Sequence, residues 1–409
     1  MIQFGCSFAA KECFNMINRP FPLQKLMRFK DKQLVKVVTG IRRCGKSTLL
    51  ELFRKQLLKQ GVNPSAIQSY NFEDLSLEPL TDYHRLYDTI VSRLQLGGMN
   101  YVFIDEIQNV PKFEKVINSL LVKGNVDIYI TGSNAFLLSG ELATLLSGRT
   151  VEIHVTPLSF AELFGGNADM KSFQDYMGGS SFPYAHQLET ASNVHTYLEG
   201  VYNTVILKDI AARRGIVDIN QLQRVARFLM GNIGNLTSIK KISDTMASDG
   251  QRISTHAVDS YISSLVEAYL FYPVRRFDVK GRQLLKTGEK YYVADLGLRD
   301  IVLGVRDSDY GHALENIVFL ELIRRGWSVF VGKVGPQEID FIAQKDMKTV
   351  YYQVSLTILD ESTKLRELGP LEKVGDSFPK YLLTMDLLPQ STHNGIFIKN
   401  VVDWLVEED

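Results

Sequence analysis

The chain has 409 residues, 45% apolar and 22% charged, with a formal net charge of zero. That length predicts two or three domains, and the composition excludes a disordered or fibrous chain. Zero net charge excludes a molecule-wide field that gathers nucleic acid or anionic membrane, so any such surface has to be a local patch.

At the N-terminus, residues 1–16 lack the basic and apolar segments of a signal peptide. Patterned sequence begins just after Met16, which reads as a start. No apolar run reaches the ~18 residues of a spanning helix, so no membrane partner is expected. The three cysteines, Cys6, Cys13 and Cys44, are too few for a disulfide framework and fit a cytoplasmic location. The seven histidines are scattered and form no metal-ligand spacing.

"LVKVVTG" (residues 34–40) reads as a strand buried on both faces. "TGIRRCGKSTLL" (residues 39–50) follows, with Gly40, Gly45, Lys46 and Ser47 at the spacing G-x-x-x-x-G-K-S. Helical periodicity then runs to Gly61. A Gly-rich loop between strand and helix turns successive backbone N–H groups toward one point, where they cradle phosphate oxygens. The binding segment is Gly40, Ile41, Arg42, Arg43, Cys44, Gly45, Lys46, Ser47 and Thr48. Lys46 reaches the β- and γ-phosphates, and Ser47 offers its hydroxyl to Mg²⁺. At Cys44 the backbone rather than the thiol makes the contact.

"IQSYNFED" (residues 67–74) reads as a further strand with acids at its end. "YVFIDEIQNV" (residues 101–110) carries an apolar strand into Asp105 and Glu106. An acid pair there suits a bound cation: Asp105 holds Mg²⁺ through water, and Glu106 orients the attacking water. "VDIYITGSNAFLL" (residues 126–138) ends in Thr131, Ser133 and Asn134, where a polar group can sense the γ-phosphate; Ser133 or Asn134 can equally form a turn. Arg149 precedes the strand "TVEIHV" (residues 150–155). It is the candidate for an arginine acting on phosphate, in cis or across a subunit contact. A surface role competes. Five such strands with intervening helices predict an α/β fold, a parallel P-loop NTPase sheet covered on both faces.

Gly and Pro punctuate the chain from about residue 165. Residues 195–234 have helical period, with a break at Gly215. Residues 236–305 read as helix, turn, helix and hairpin, a winged-helix-like order that can read DNA through its second helix. That helix carries His256, Asp259 and Glu267 but no Lys or Arg. Lys280, Arg282 and Lys286 on the wing can touch phosphates. In the last third, Glu315 lies on an amphipathic helix, with Glu338, Asp340, Gln353 and Ser355 on a hairpin. This is the layout of a small restriction-endonuclease-like α/β domain, whose chemistry needs carboxylates around Mg²⁺ and a lysine. Gln353 stands where an acid is expected and Ser355 where the lysine is expected, so Glu315, Asp340 and Gln353 form a degenerate site.

These motifs, with "YNTVILKDI" (residues 202–210) and "GPQEIDFIA…YYQVS", resemble the prokaryotic AAA-superfamily ATPases that carry a DUF4143 domain. The resemblance spans nearly the whole chain from Met16. It implies a P-loop ATPase domain at 16–165, a helical linker or lid at 166–235, a winged-helix-like segment at 236–305 and a PD-(D/E)XK-like DUF4143 domain at 306–409. It also implies a sheet in which the catalytic-glutamate strand lies between the P-loop strand and its neighbour. Lys46, Ser47, Asp105 and Glu106 carry over as the ATP–Mg²⁺ site, with Asn134 and Arg149 beside them. The resemblance adds fold and ATP; the residues themselves read as ATP hydrolysis coupled to movement of the C-terminal modules, acting on DNA, a protein partner or a second copy of the chain. An ATP-regulated Mg²⁺-dependent nuclease and a slow nucleotide-dependent assembly switch stand as alternatives.

Overall fold

Short β-branched and aromatic runs build the first sheet of the computed structural model, which describes residues 17–135, 146, 148–165, 168–250, 252–281, 283–304 and 310–407. Met16 and Arg282 lie outside the described residues, as do the side chain of Lys286 and most of the segment between Ala135 and Arg149. The strands are β1 (Val35–Thr39), β2 (Ile67–Asn71), β3 (Asn100–Asp105), β4 (Val126–Thr131) and β5 (Thr150–His154). All pair in parallel, in the order β2-β3-β4-β1-β5.

This order corrects one expectation. The glutamate strand β3 lies between β2 and β4, and β4 separates it from the P-loop strand. Burial explains the placement. β4 is buried at every position and takes an inner place, whereas β2 alternates between buried and exposed and suits an edge.

Successive residues of each strand face opposite sides. Val38, Phe103, Tyr129 and Ile153 pack with Leu49, Phe53 and Leu57 of the helix Lys46–Lys59. Val37, Ile104 and Ile130 pack on the other face with Ile90 of the helix Tyr83–Ser92 and Ile117 of the helix Phe113–Val122. Each such side chain contributes roughly 1.5–3 kcal/mol of burial. Lys36 is fully buried in β1 because it pairs with Asp127 of β4, which also accepts from the Tyr129 hydroxyl at 2.7 Å.

A second, mixed sheet comprises β6 (Phe271–Asp278), β7 (Gln283–Val293), β8 (Ser328–Val334), β9 (Gln337–Lys345), β10 (Lys348–Ser355), β11 (Lys380–Thr384), β12 (Ser391–His393) and β13 (Ile396–Asn400). Its order is β12-β13-β11-β10-β9-β8-β6-β7. β6 and β7 form an antiparallel hairpin after the helices Ile239–Ser248 and Thr255–Glu267, and β6 joins β8 in parallel. Residues 271–293 therefore share a sheet with residues 328–400. The helix Tyr310–Arg324 is buried along most of its length, and Asn316 pins it to β7 through both backbone groups of Val293. One apolar cluster runs from β1 through residues 198–230 to the second sheet and Trp404. Among the described residues, no helix is long and apolar enough to cross a membrane.

Candidate functional site

The carboxyl ends of β1, β3 and β4 gather the predicted groups. Gly40 follows β1 at φ 141°, and a Cβ there would lie 2.1 Å from the Val155 carbonyl oxygen. Only glycine lets the loop leave the sheet so close to the chain following β5. Gly45 takes φ 100° just before the helix Lys46–Lys59. Lys46 is buried, and its Nζ donates to the carbonyls of Gly40 at 3.0 Å and Ile41 at 3.2 Å. Ser47 and Thr48 are exposed on the first turn.

Asp105 ends β3 and accepts from the Thr131 hydroxyl of β4. Glu106 follows at φ 52°, and its N–H donates to Thr131 Oγ1 at 3.0 Å. Thr131 thereby fixes both acids. Gln108 donates to the Glu106 carboxylate, with Ser133 Oγ 3.4 Å from the same oxygen. Burial pushes the Glu106 carboxyl above its ordinary range, against the opposing pull of Lys46 and Arg42. Asn134 is buried beside Ser133.

Lys46, Glu106 and the residues of the loop border a cleft of about 820 Å³. Its floor includes Arg42, Arg43, Gly45, Lys46, Ser47, Thr48, Glu73 and Glu106, and its far wall is built by Tyr184, Gln187, Tyr197 and Thr204. The rings of Tyr184 and Tyr197 lie 5.2 Å apart. Cys44 is buried under the loop, and burial raises its thiol pKa.

Arg149 is not part of this constellation. Its carbonyl pairs with the N–H of Val35, at the start of β1, and its guanidinium contacts Asn118 at 3.3 Å. It sits at the amino end of the sheet, opposite the loop, because strand β5 runs away from it. The expectation that it reaches phosphate within its own chain is therefore corrected.

Three residues that sequence reading missed hold the site. Arg19 is buried and donates to the Cys44 carbonyl at 3.0 Å, the Thr156 carbonyl at 2.8 Å and Glu162 at 2.8 Å. Glu73, in the turn two residues past β2, lies 3.3 Å from Arg42. Asp209 forms a two-pronged pair with Arg42, at 2.9 and 3.1 Å. The signal for Asp209 was present in "YNTVILKDI", but nothing local tied it to the loop.

In the second sheet, Glu315, Glu338 and Asp340 do approach one another, around a lysine no sequence spacing indicated. Lys290 of β7 donates to Glu315 at 2.9 Å and Glu338 at 2.7 Å. Burial would raise the Glu315 carboxyl, but Lys290, His312 and Tyr292 bring it below its ordinary value. Burial and the neighbouring Glu315 push Asp340 well above its own. Gln353 accepts from the Asp340 N–H at 3.4 Å and donates to Glu367 at 2.9 Å. Ser355 turns to the Thr357 carbonyl. Among the described residues, no group of three or more His, Cys, Asp or Glu side chains is set to hold a metal ion.

A family model described as an AAA domain matches residues 32–164. A second, described as a domain of unknown function, DUF8612, matches residues 170–309. An uncharacterised protein of Haemophilus influenzae is 40% identical over 400 residues, 96% of this chain and 99% of its own. An uncharacterised protein of Methanocaldococcus jannaschii is 28% identical over 360 residues, 83% of this chain and 78% of its own. Among solved structures, a Walker-type ATPase of Pyrococcus abyssi aligns at TM-score 0.39 and 14% identity, over 70% of this chain and 95% of its own. The ORC1 protein of Aeropyrum pernix in complex with DNA aligns at TM-score 0.29 and 14% identity, over 70% and 92%. At those scores the likeness says nothing of what this chain binds. At 40% identity over nearly their full lengths, the chain belongs to the family of the Haemophilus influenzae protein, built here from an AAA domain followed by a domain of unknown function.

Proposed function

We propose that the chain binds ATP with Mg²⁺ and hydrolyses it, and that the nucleotide state repositions the wall of the cleft formed by residues 183–212. The observation that carries this reading is the convergence of Lys46, Asp105, Glu106 and Ser133 at the carboxyl ends of three neighbouring strands. The donor set fits a triphosphate: a lysine held by its own loop's carbonyls, two exposed hydroxyls and a helix N-terminus. It also fits Mg²⁺, a hard cation that takes hydroxyl and carboxylate oxygens, with Ser47 and Asp105 as the holders.

Bound there, Mg²⁺ would offset charge on the phosphate oxygens. Lys46 exchanges its loop carbonyls for β- and γ-phosphate oxygens. Glu106 orients water and takes up its proton as the water oxygen bonds to the γ-phosphorus and the bond to the β-phosphate oxygen breaks. Gln108 and Ser133 keep the carboxylate aimed. Movement of the cleft wall then acts on DNA, a protein partner or a second copy of the chain. We read the DUF4143-like C-terminal sheet as a nuclease-like fold without cleavage chemistry, because Lys290 already neutralises the carboxylates that would ligate metal. Titration with a fluorescent ATP analogue tests the binding step: wild type should bind and Lys46→Ala should not. Equal binding by both would sink the reading.

A further inference from the structure

Phosphoryl transfer draws on a cation that meets charge developing on the γ-phosphate. With Arg149 at the wrong end of the sheet, the loop itself supplies the alternative. We propose that Arg42 is the arginine that meets the γ-phosphate within the same chain, and that Asp209 and Glu73 hold it back until a triphosphate arrives. The Arg42–Asp209 pair then reports the third phosphate to the segment carrying Asp209. This inference rests on the ATP site proposed above.

Arg42 lies between Gly40 and Lys46, on the part of the loop that opens into the cleft. Among the described residues its guanidinium donates to carboxylate oxygens: both oxygens of Asp209, at 2.9 and 3.1 Å, and Glu73 at 3.3 Å. A planar guanidinium satisfied by a fork of two oxygens is also shaped for two oxygens of a phosphate. Its charge is felt at Glu106, the residue assigned to the attacking water. The two acids therefore occupy an arginine that faces the place where the γ-phosphate would sit. A γ-phosphate brings three acceptor oxygens and more charge than either carboxylate, so it competes for Arg42. ADP lacks that group and leaves the pair intact.

The partner side is built to respond. Asp209 is only 7% exposed, so losing its cation leaves a buried carboxylate uncompensated. It must gain water or move. It stands on a π-helical stretch, Val205–Ala212, that continues the helix Ala191–Thr204. Wide turns of this kind are rare and cluster at functional sites. The same helix supplies Tyr197 and Thr204 to the cleft wall, so a shift at Asp209 changes the wall itself.

The test uses the full chain and three states: free, with ADP–Mg²⁺, and with a non-hydrolysable ATP analogue and Mg²⁺. Binding is first established by fluorescence titration, and hydrogen–deuterium exchange is then followed over residues 205–212. The analogue should speed exchange in that segment, and ADP should leave it at the free level. Asp209→Asn should exchange rapidly without nucleotide and gain little from the analogue. Arg42→Gln should keep ADP affinity but lose about tenfold or more of the preference for the triphosphate, with no exchange response. Arg42→Lys, which keeps the charge but not the fork, should fall between, and circular dichroism checks that each variant is folded. Analogue binding with unchanged exchange, or an Arg42→Gln protein that keeps both the preference and the response, would overturn the latch alone. Failure of wild type to bind either nucleotide would instead overturn the ATP site, and the latch with it.

Discussion

Glu106 holds a left-handed backbone conformation that a non-glycine residue keeps only when its surroundings impose it, at a typical cost of about 1–3 kcal/mol. Thr131 imposes it by accepting the Glu106 N–H while donating to Asp105. Burial raises the Glu106 pKa, which makes the carboxylate a stronger base at neutral pH and also protonates it sooner in acid. Turnover should therefore fall on an acid limb above the ordinary glutamate value of about 4.3, which the pH dependence of kcat measures. Glu106→Gln should keep ATP affinity and lose roughly 10²–10⁴-fold in turnover. Beneath the loop, His154 sits between Thr39 Oγ1 at 3.3 Å and the Tyr272 hydroxyl at 2.9 Å, and burial lowers its pKa from 6.5 to about 4. As pH falls from 6.5 toward 4, the unfolded chain takes up this proton first, so the folded state loses stability. Urea midpoints at pH 7 and pH 4.5 should drop further for wild type than for His154→Gln; equal drops would remove His154 from the account.

At the scale of elements, the P-loop and the Asp105–Glu106 strand were legible because each is a local device. A strand, a glycine turn and a helix start fit within a dozen neighbouring residues. The strand order was less legible: alternation in β2 against full burial in β4 sets it, and neither spacing nor motif states it. Arg149 misled because closeness to a strand does not say which end of the strand faces the site. Five residues of β5, at about 3.3 Å each, carry it roughly 16 Å from the loop end. Arg149→Ala should leave ATP turnover intact and shift stability by less than about 0.5 kcal/mol; a large loss of turnover would return this arginine to the mechanism. Asp209 was illegible because its partner lies 167 residues away. The helical period around it gives no sign of a π turn. Lys290 was missed for the same reason: the nuclease layout expects its lysine two residues after Gln353, and the fold supplies one from β7 instead.

Across the whole molecule, the loop is tied to the second sheet from below. Thr39 donates to Glu152 at 2.5 Å, and Tyr269, which leads into the β6 hairpin, donates to the same oxygen at 2.9 Å. Arg324, at the end of the helix Tyr310–Arg324, reaches Thr156 Oγ1 at 3.1 Å. A change at the phosphate site thus has a continuous packed route to the C-terminal part. The carboxylate cluster at its far end is bridged by Lys290, which donates to both Glu315 and Glu338. Lys290→Met should destabilise the fold by about 3–5 kcal/mol, because the buried Glu315 carboxylate loses its lysine and keeps, among the described residues, only the Tyr292 hydroxyl and His312 beside it. An unchanged urea midpoint would show that the cluster is not structural. The central claim, ATP hydrolysis at the loop of Lys46, is tested most directly by phosphate release from ATP and Mg²⁺, with and without double- and single-stranded DNA. We expect turnover in wild type, none in Lys46→Ala and a loss of roughly 10²–10⁴-fold in Glu106→Gln, with stimulation by DNA distinguishing a DNA-coupled ATPase from one that answers to a protein. Turnover that survives in both variants, or a wild type that releases no phosphate, would contradict it.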